Sequence, residues 1–213
     1  MIIAIDGPAG AGKTTIAKLL AKRLGILYLD TGATYRVLTL KALKENIPLD
    51  DALALRDTAI NLNVRWEEGK IYLDGEDVTD QIRSPNIDKS ISLPVSFKEV
   101  REAMVEFQRR LVGTNDAVVE GRDTTTVVFP NADYKFYLDA SLDERARRRH
   151  SEMINKNIRV ELEEIKHHIA IRDRADLTRD VGPLKRAPDA ILIDTTNLTI
   201  EEVIGIILSY IKR

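Results

Sequence analysis

The residues most able to do chemistry lie near the start of the chain, where Gly7-Pro-Ala-Gly-Ala-Gly-Lys13-Thr14 keeps the spacing G-x-x-x-x-G-K-[ST]. Gly7, Gly10 and Gly12 let the backbone curl, with Pro8, Ala9 and Ala11 between them, so that successive N–H groups point inward at one phosphate. The helix expected after the loop adds its positive end. In this arrangement Lys13 reaches the β and γ phosphates of a nucleoside triphosphate, and the Thr14 hydroxyl holds Mg²⁺. Thr15 completes the set of triphosphate-side residues. The loop binds a nucleotide without specifying its fate, because switches, motors and small-molecule kinases all use it.

Such a loop needs a strand before it and a helix after it. Ile2 to Ile5 is a short β-branched run, and Ile16, Leu19, Leu20 and Leu24 fall at helical spacings before Gly25 stops the pattern. Ile26–Leu29, Ala117–Val119, Tyr134–Leu138 and Ala190–Ile193 are further strand candidates. Helical stretches are expected at Tyr35–Leu43 and Phe97–Leu111, and Ser141 with Glu144 and Thr199 with Glu202 match capping boxes. Alternation of this kind predicts an α/β fold with a doubly wound parallel sheet. Asn63 to Asp80 breaks the rhythm with two short strands, Val64–Trp66 and Ile71–Leu73, joined around Glu68-Gly69. It reads as a small antiparallel insertion.

Composition narrows the function further. The 213 residues are 44% hydrophobic and 31% charged, which describes a folded chain of one domain. There is no cysteine, so thiol catalysis and Cys-ligated metals are excluded. A net charge of −2 argues against nucleic acid as a partner. No apolar run is long enough for a membrane span, and the first residues do not read as a signal peptide, so the expected location is the cytoplasm.

Three more clusters stand at expected strand ends: Asp30-Thr-Gly-Ala-Thr-Tyr-Arg36, Glu120-Gly-Arg-Asp123, and Arg172 to Arg179 with Pro183-Leu-Lys185 behind it. With IDGPAGAGKTT (5–15), LDTGATYRVLTL (29–40), VVEGRDTTTVVFP (118–130), FYLDASLDERARRR (136–149), RDRADLTRDVGPLK (172–185) and LIDTTNLTIEEVI (192–204), the chain resembles bacterial cytidylate kinases nearly end to end. The resemblance implies a P-loop kinase fold over residues 1–213. It would carry a nucleoside-monophosphate-binding insertion at about 63–95 and a helical lid at about 145–172. The implied reaction is transfer of the γ phosphate of ATP to CMP or dCMP in pyrimidine metabolism, with Mg²⁺ as cofactor and the protein a monomer.

Carried over residue by residue, the resemblance gives the cytosine to Ser92, Arg101 and Asp123. It gives sugar and phosphate contacts to Arg172, Asp176 and Arg179, with Thr31, Arg36 and Arg122 as further acceptor contacts. Lys13, Arg122, Arg148 and Arg149 would act on the transferring phosphate, and Asp30 or Glu120 would meet Mg²⁺ through water. Cytosine offers a 4-amino donor beside N3 and O2 acceptors, which a carboxylate and a guanidinium complement. Two positions depart from the family: Thr125 stands where relatives usually carry Gly, and Thr15 replaces a small residue.

Alternative readings are another kinase on this fold, for UMP, dTMP or shikimate, or a nucleotide-dependent switch that binds a protein. The chain has no guanine-reading Asn-Lys-x-Asp sequence. His167 and His168, adjacent on a helix, point about 100° apart and suit surface positions better than a metal. Trp66 reads as a packing anchor of the insertion.

Overall fold

The computed structural model of the chain describes residues 1–67, 69–155 and 158–211. In chain order the elements are β1 (Ile2–Asp6), α1 (Lys13–Leu24), β2 (Leu27–Asp30), α2 (Thr31–Lys44), α3 (Ala52–Ile60), β3 (Val64–Glu67), β4 (Lys70–Leu73) and β5 (Glu76–Asp77). They continue with α4 (Pro85–Ser90), α5 (Ser92–Ser96), α6 (Lys98–Val112), β6 (Ala117–Gly121), β7 (Tyr134–Asp139), α7 (Leu142–Asn155), α8 (Leu162–Thr178), β8 (Ile191–Asp194) and α9 (Ile200–Tyr210). A 3-10 turn lies at Gln81–Arg83 and a wide π-type turn at Thr124–Val128. The chain divides into two compact units, residues 1–29 with 114–213, and residues 30–113.

In the first unit five parallel strands run in the order β2-β6-β1-β7-β8, with Ile2 opposite Ala117, Ile3 opposite Tyr134 and Phe136 opposite Ile191. The apolar runs need this arrangement, because a parallel strand is covered on both faces. Ile3, Ile5, Phe136 and Leu138 are fully buried, packed with Leu20 of α1 and Ile204 of α9. The chain leaves β1 towards one edge of the sheet and later builds the other, so the carboxyl end of β1 is a topological switch point, where open sheets bind ligands. Helices α7 and α8 pair over a small cluster of Ala146, Ile165 and Ile169.

The second unit packs α2, α3 and α6 around Leu38, Leu55, Met104 and Phe107, and carries the antiparallel sheet β3-β4-β5. Ile71 and Leu73 point into that core, and Trp66 packs half-buried against it, as expected of an anchor. Of the expected turn, Gly69 has φ 81° and Glu68 lies outside the described residues.

Capping decides several boundaries. The Asp30 carboxylate accepts from the Ala33 N–H at 2.9 Å, so α2 starts at Thr31, one turn before the expected Tyr35. Thr199 and Glu202 form a complete capping box. Only half of the Ser141 box forms: its hydroxyl accepts from the Glu144 N–H at 3.3 Å, but its own N–H donates to Thr196 Oγ1. The Glu144 carboxylate pairs with Arg147 and Arg148 instead. Helices α3, α4 and α5 had no clear sequence signal; α3 is short and opens on the Asp51 cap.

Candidate active site

The loop from Gly7 to Thr14 leaves the end of β1 and enters α1. A Cβ on Gly7 would stand 2.0 Å from the Leu138 carbonyl oxygen, so only glycine lets the turn pass β7. Gly12, with φ 89°, caps α1 in the left-handed region. Side chains hold the loop carbonyls: Lys13 Nζ donates to Pro8 O at 2.7 Å and Arg145 Nη1 to Ala9 O at 3.0 Å, while the one Thr195 hydroxyl proton lies between Ala11 O at 3.3 Å and Asp139 O at 3.0 Å. In a trans peptide the N–H points opposite to the C=O, so holding the Ala9 and Ala11 oxygens turns the Gly10 and Gly12 N–H groups to the other side. That is the geometry an anion cradle needs.

Lys13 is buried. Burial, helped by the charges of Arg122 and Arg172 and opposed by Glu120 and Asp6, holds its ammonium down to about 7. An anion in the cradle would restore the charge. Thr14 Oγ1 donates to Glu120 Oε1 at 2.6 Å, and the Tyr28 hydroxyl meets the same oxygen at 3.1 Å. A hydroxyl and a carboxylate side by side are the hard oxygen donors that suit Mg²⁺. Asp30, besides capping α2, lies 3.9 Å from Arg83. Thr15 is exposed on α1.

Next to the loop stands a chain of charges drawn from β6, the turn after it and α8. Arg122 Nε donates to Asp176 Oδ2 at 2.8 Å, Arg179 Nη1 to Asp176 Oδ1 at 3.4 Å, and Arg179 Nη2 lies 3.7 Å from Asp123 Oδ1. Burial opposes the Arg122 charge, but the carboxylates of Asp176, Glu120 and Asp173 together outweigh it, so its pKa is raised. Asp123 is buried. Arg172 is exposed on the same helix. The Leu184 N–H donates to Asp176 O at 2.7 Å, which fastens the Pro183-Leu-Lys185 segment to α8.

The basic run of α7 divides. Arg145, buried, bonds the carbonyls of Ala140 and Ala9 and pairs with Asp173 of α8. Arg148 bonds Thr195 Oγ1 and O at 3.0 and 2.6 Å, with Nη1 3.7 Å from where a Gly12 Cβ would be. Arg149 pairs with Glu152 on the exposed side of the helix. In the second unit Arg101 is buried with its guanidinium 5.4 Å from the Tyr35 ring centre, Arg36 pairs with Asp88, Thr31 is buried at the start of α2, and Ser92 is exposed at the start of α5. His167 and His168 are exposed on α8.

Comparison with known proteins decides which family this architecture belongs to. The cytidylate kinase family model matches residues 3–213. The cytidylate kinase of Caldanaerobacter subterraneus subsp. tengcongensis is 48% identical over 211 residues, covering 99% of this chain and 94% of that one. That of Geobacillus sp. (strain WCH70) is 48% identical over 215 residues, covering 99% and 96%. The chain belongs to the cytidylate kinase family. At the level of fold alone, a crystal structure of an uncharacterised protein from Eubacterium ventriosum ATCC 27560 aligns with a TM-score of 0.54 at 15% identity, over 99% of this chain and 97% of that one.

Sequence reasoning about this cytidylate kinase family member missed several residues that shape the site. Asp6, Thr195 and Tyr28 hold the turn after β6, the loop or Glu120 without having stood out by type and spacing, while Arg145 and Asp173, which lie in the basic run of α7 and in the Arg172–Arg179 cluster, were given no role in the site. Asp6 had one available signal, a charged residue closing an apolar strand against the glycine of the loop. Arg145 had another, since it shares a helical face with Arg148.

Proposed function

We propose that the protein transfers the γ-phosphoryl group of ATP to a phosphate oxygen of CMP or dCMP, giving CDP or dCDP and ADP. Family membership over nearly the whole chain carries this reading, with the phosphate loop intact from Gly7 to Thr14. Phosphoryl transfer asks for positioning and charge neutralisation more than for a strong base. Lys13, recharged by the triphosphate, and the guanidinium of Arg122 would face the moving group, with Arg148 and Arg149 delivered by a lid of α7 and α8. A lid that excludes water also suppresses transfer to water.

Thr14, with Glu120 or Asp30 through water, would hold Mg²⁺; among the described residues no group of three acidic, His or Cys side chains could hold a metal ion by itself. That suits an ion which keeps waters and substrate phosphates as its other ligands. When bound, it supplies positive charge to the phosphates.

On the acceptor side, Asp123 would accept from the cytosine 4-amino group. Uracil presents an oxygen there and would leave the carboxylate facing another acceptor. Arg172, Asp176 and Arg179 would take the sugar and phosphate, and further acceptor contacts are assigned to Thr31, Arg36, Ser92 and Arg101. The same reading gives a cytoplasmic monomer serving pyrimidine metabolism.

The test is an acceptor panel with ATP and Mg²⁺, read out as ADP release. CMP and dCMP should be turned over well ahead of UMP, dTMP and shikimate. Equal turnover of CMP and UMP overturns the base-reading assignment. Nucleotide hydrolysis that no acceptor stimulates overturns the kinase reading in favour of a switch.

A further inference from the structure

Asp6 closes β1 immediately before the phosphate loop, and its carboxylate is wholly buried. It grips the start of one turn. Oδ1 accepts from the Thr124 N–H at 2.9 Å, while Oδ2 accepts from the Thr125 N–H at 2.7 Å and from the Thr125 hydroxyl at 2.6 Å. Both threonines are as buried as Asp6. They begin the π-type turn Thr124–Val128, and the turn is anchored on Asp123, whose carbonyl accepts from the Val127 and Val128 N–H groups at 2.8 and 3.2 Å.

Burial pushes the Asp6 carboxyl up, the hydrogen bonds from Thr125 and Thr124 oppose that rise, and the charge of Asp123 adds to it. Two of these three bonds come from the backbone, and the Thr125 hydroxyl supplies the third from a side chain whose β-branched χ1 leaves it little freedom to turn away. A glycine at 125 would offer the N–H but no hydroxyl, so the threonine adds a bond to the buried Asp6 carboxyl group.

We propose that Thr125, acting through Asp6, is a positioning residue that sets the orientation of the Asp123 carboxylate and so the discrimination between amino- and oxo-pyrimidine acceptors. The inference rests on the assignment of Asp123 as the base reader. Thr125 lies only two positions along the chain from that carboxylate. A shift of about 1 Å at a recognising group is enough to cost up to about 10²-fold.

The test compares the wild type with Thr125→Val, Thr125→Ser and Asp123→Ala, measuring KM for CMP and for ATP, kcat, and the ratio of CMP to UMP turnover. Thr125→Val keeps shape and removes the hydroxyl. It should raise KM for CMP about tenfold, which is about 1.4 kcal/mol, and lower the CMP-to-UMP ratio. KM for ATP should stay within about twofold of the wild type, taking twofold as clear of an equal effect on both substrates. Thr125→Ser restores the donor and should restore both quantities. Thr125→Ala takes the place of the valine variant if that one does not fold.

Wild-type values in the valine variant overturn the proposal, as does a parallel rise in KM for both substrates, which would make the clamp a support of the phosphate loop as a whole. If instead the wild type shows no preference for CMP, or Asp123→Ala leaves that preference intact, the base-reader assignment fails and this inference falls with it.

Discussion

The two units hold their candidate groups in different ways. In the unit of residues 1–29 and 114–213, the candidate groups are tied to one another: loop carbonyls to Lys13, Arg145 and Thr195, Thr14 to Glu120, and Asp123, Arg122, Asp176 and Arg179 in one chain of charges. In the unit of residues 30–113 the candidates meet neighbours of that unit, Arg36 pairing with Asp88 and donating to Ile82 O, and Arg101 lying over the face of Tyr35. Under the proposed reading the groups assigned to the transferring phosphate, and Asp123 with them, belong to the first arrangement, while Arg101 and Ser92 belong to the second.

The contrast predicts a gradient of mutational effects. Lys13→Ala should be the most damaging, cutting kcat/KM with CMP by at least about 10³-fold, in the range of losing a principal donor to transition-state charge. Steady-state ADP release checks it. Activity within about tenfold of wild type would remove Lys13 from the phosphate site. Asp123→Ala should cost about 10²-fold in kcat/KM for CMP, mostly through KM, and should bring CMP and UMP closer together. The parallel acceptor assay decides it, and an unchanged CMP preference would contradict the assignment.

Arg101→Ala should be milder, about tenfold on KM for CMP with kcat nearly unchanged, as suits a residue assigned to the acceptor and not to the transferring phosphate. Arg101→Lys should not rescue it, since a lysine cannot present the planar fork or stack on Tyr35 in the same way. If Arg101→Ala instead lowers kcat as strongly as Asp123→Ala lowers kcat/KM, the distinction between the groups of the two units breaks down.

One further effect is on stability and not on turnover. Lys13 ordinarily titrates at 10.5 and is held down to about 7 in the free protein. The unfolded chain therefore binds more protons between those values, so stability should rise with pH across that window, by at most about 1.4 kcal/mol per pH unit. Below about pH 7 the contribution is flat. Lys13→Met should remove this contribution to the slope, leaving that of the Met1 ammonium, whose raised pKa acts with the opposite sign, as measured by thermal unfolding at several pH values. Binding of ADP at pH 8 should take up about one proton in the wild type and none in the variant, as calorimetry in buffers of different ionisation enthalpy would report. Proton release on binding would refute the sign.

The phosphate loop was legible because all its chemistry is local: the glycine spacing, the lysine and the hydroxyl lie within eight consecutive residues, between a strand and a helix that announce themselves. The parallel sheet was legible for a related reason, since buried strands must be continuously apolar. Thr125 was not legible. In sequence it stood only as a departure from the family beside Asp123, and only the approach of Asp6, 119 residues away, turns its hydroxyl into a donor. The basic run of α7 was half legible. Helical spacing puts Arg145, Arg148 and Arg149 on one face, but whether each meets the loop, Thr195 or Glu152 depends on what packs against that face. The early start of α2 comes from a cap at Asp30 that an apolar pattern does not weigh.

By itself the amino-acid sequence determined the strand–helix alternation around the parallel sheet, the phosphate loop and the family, because these rest on periodicity and on contiguous residues. Tertiary structure alone decided which carboxylates face which guanidiniums, how far Lys13 is stripped of water, and what Asp6 holds. Those are properties of groups far apart along the chain, and their energies depend on distance and burial, which exist only once the chain has folded.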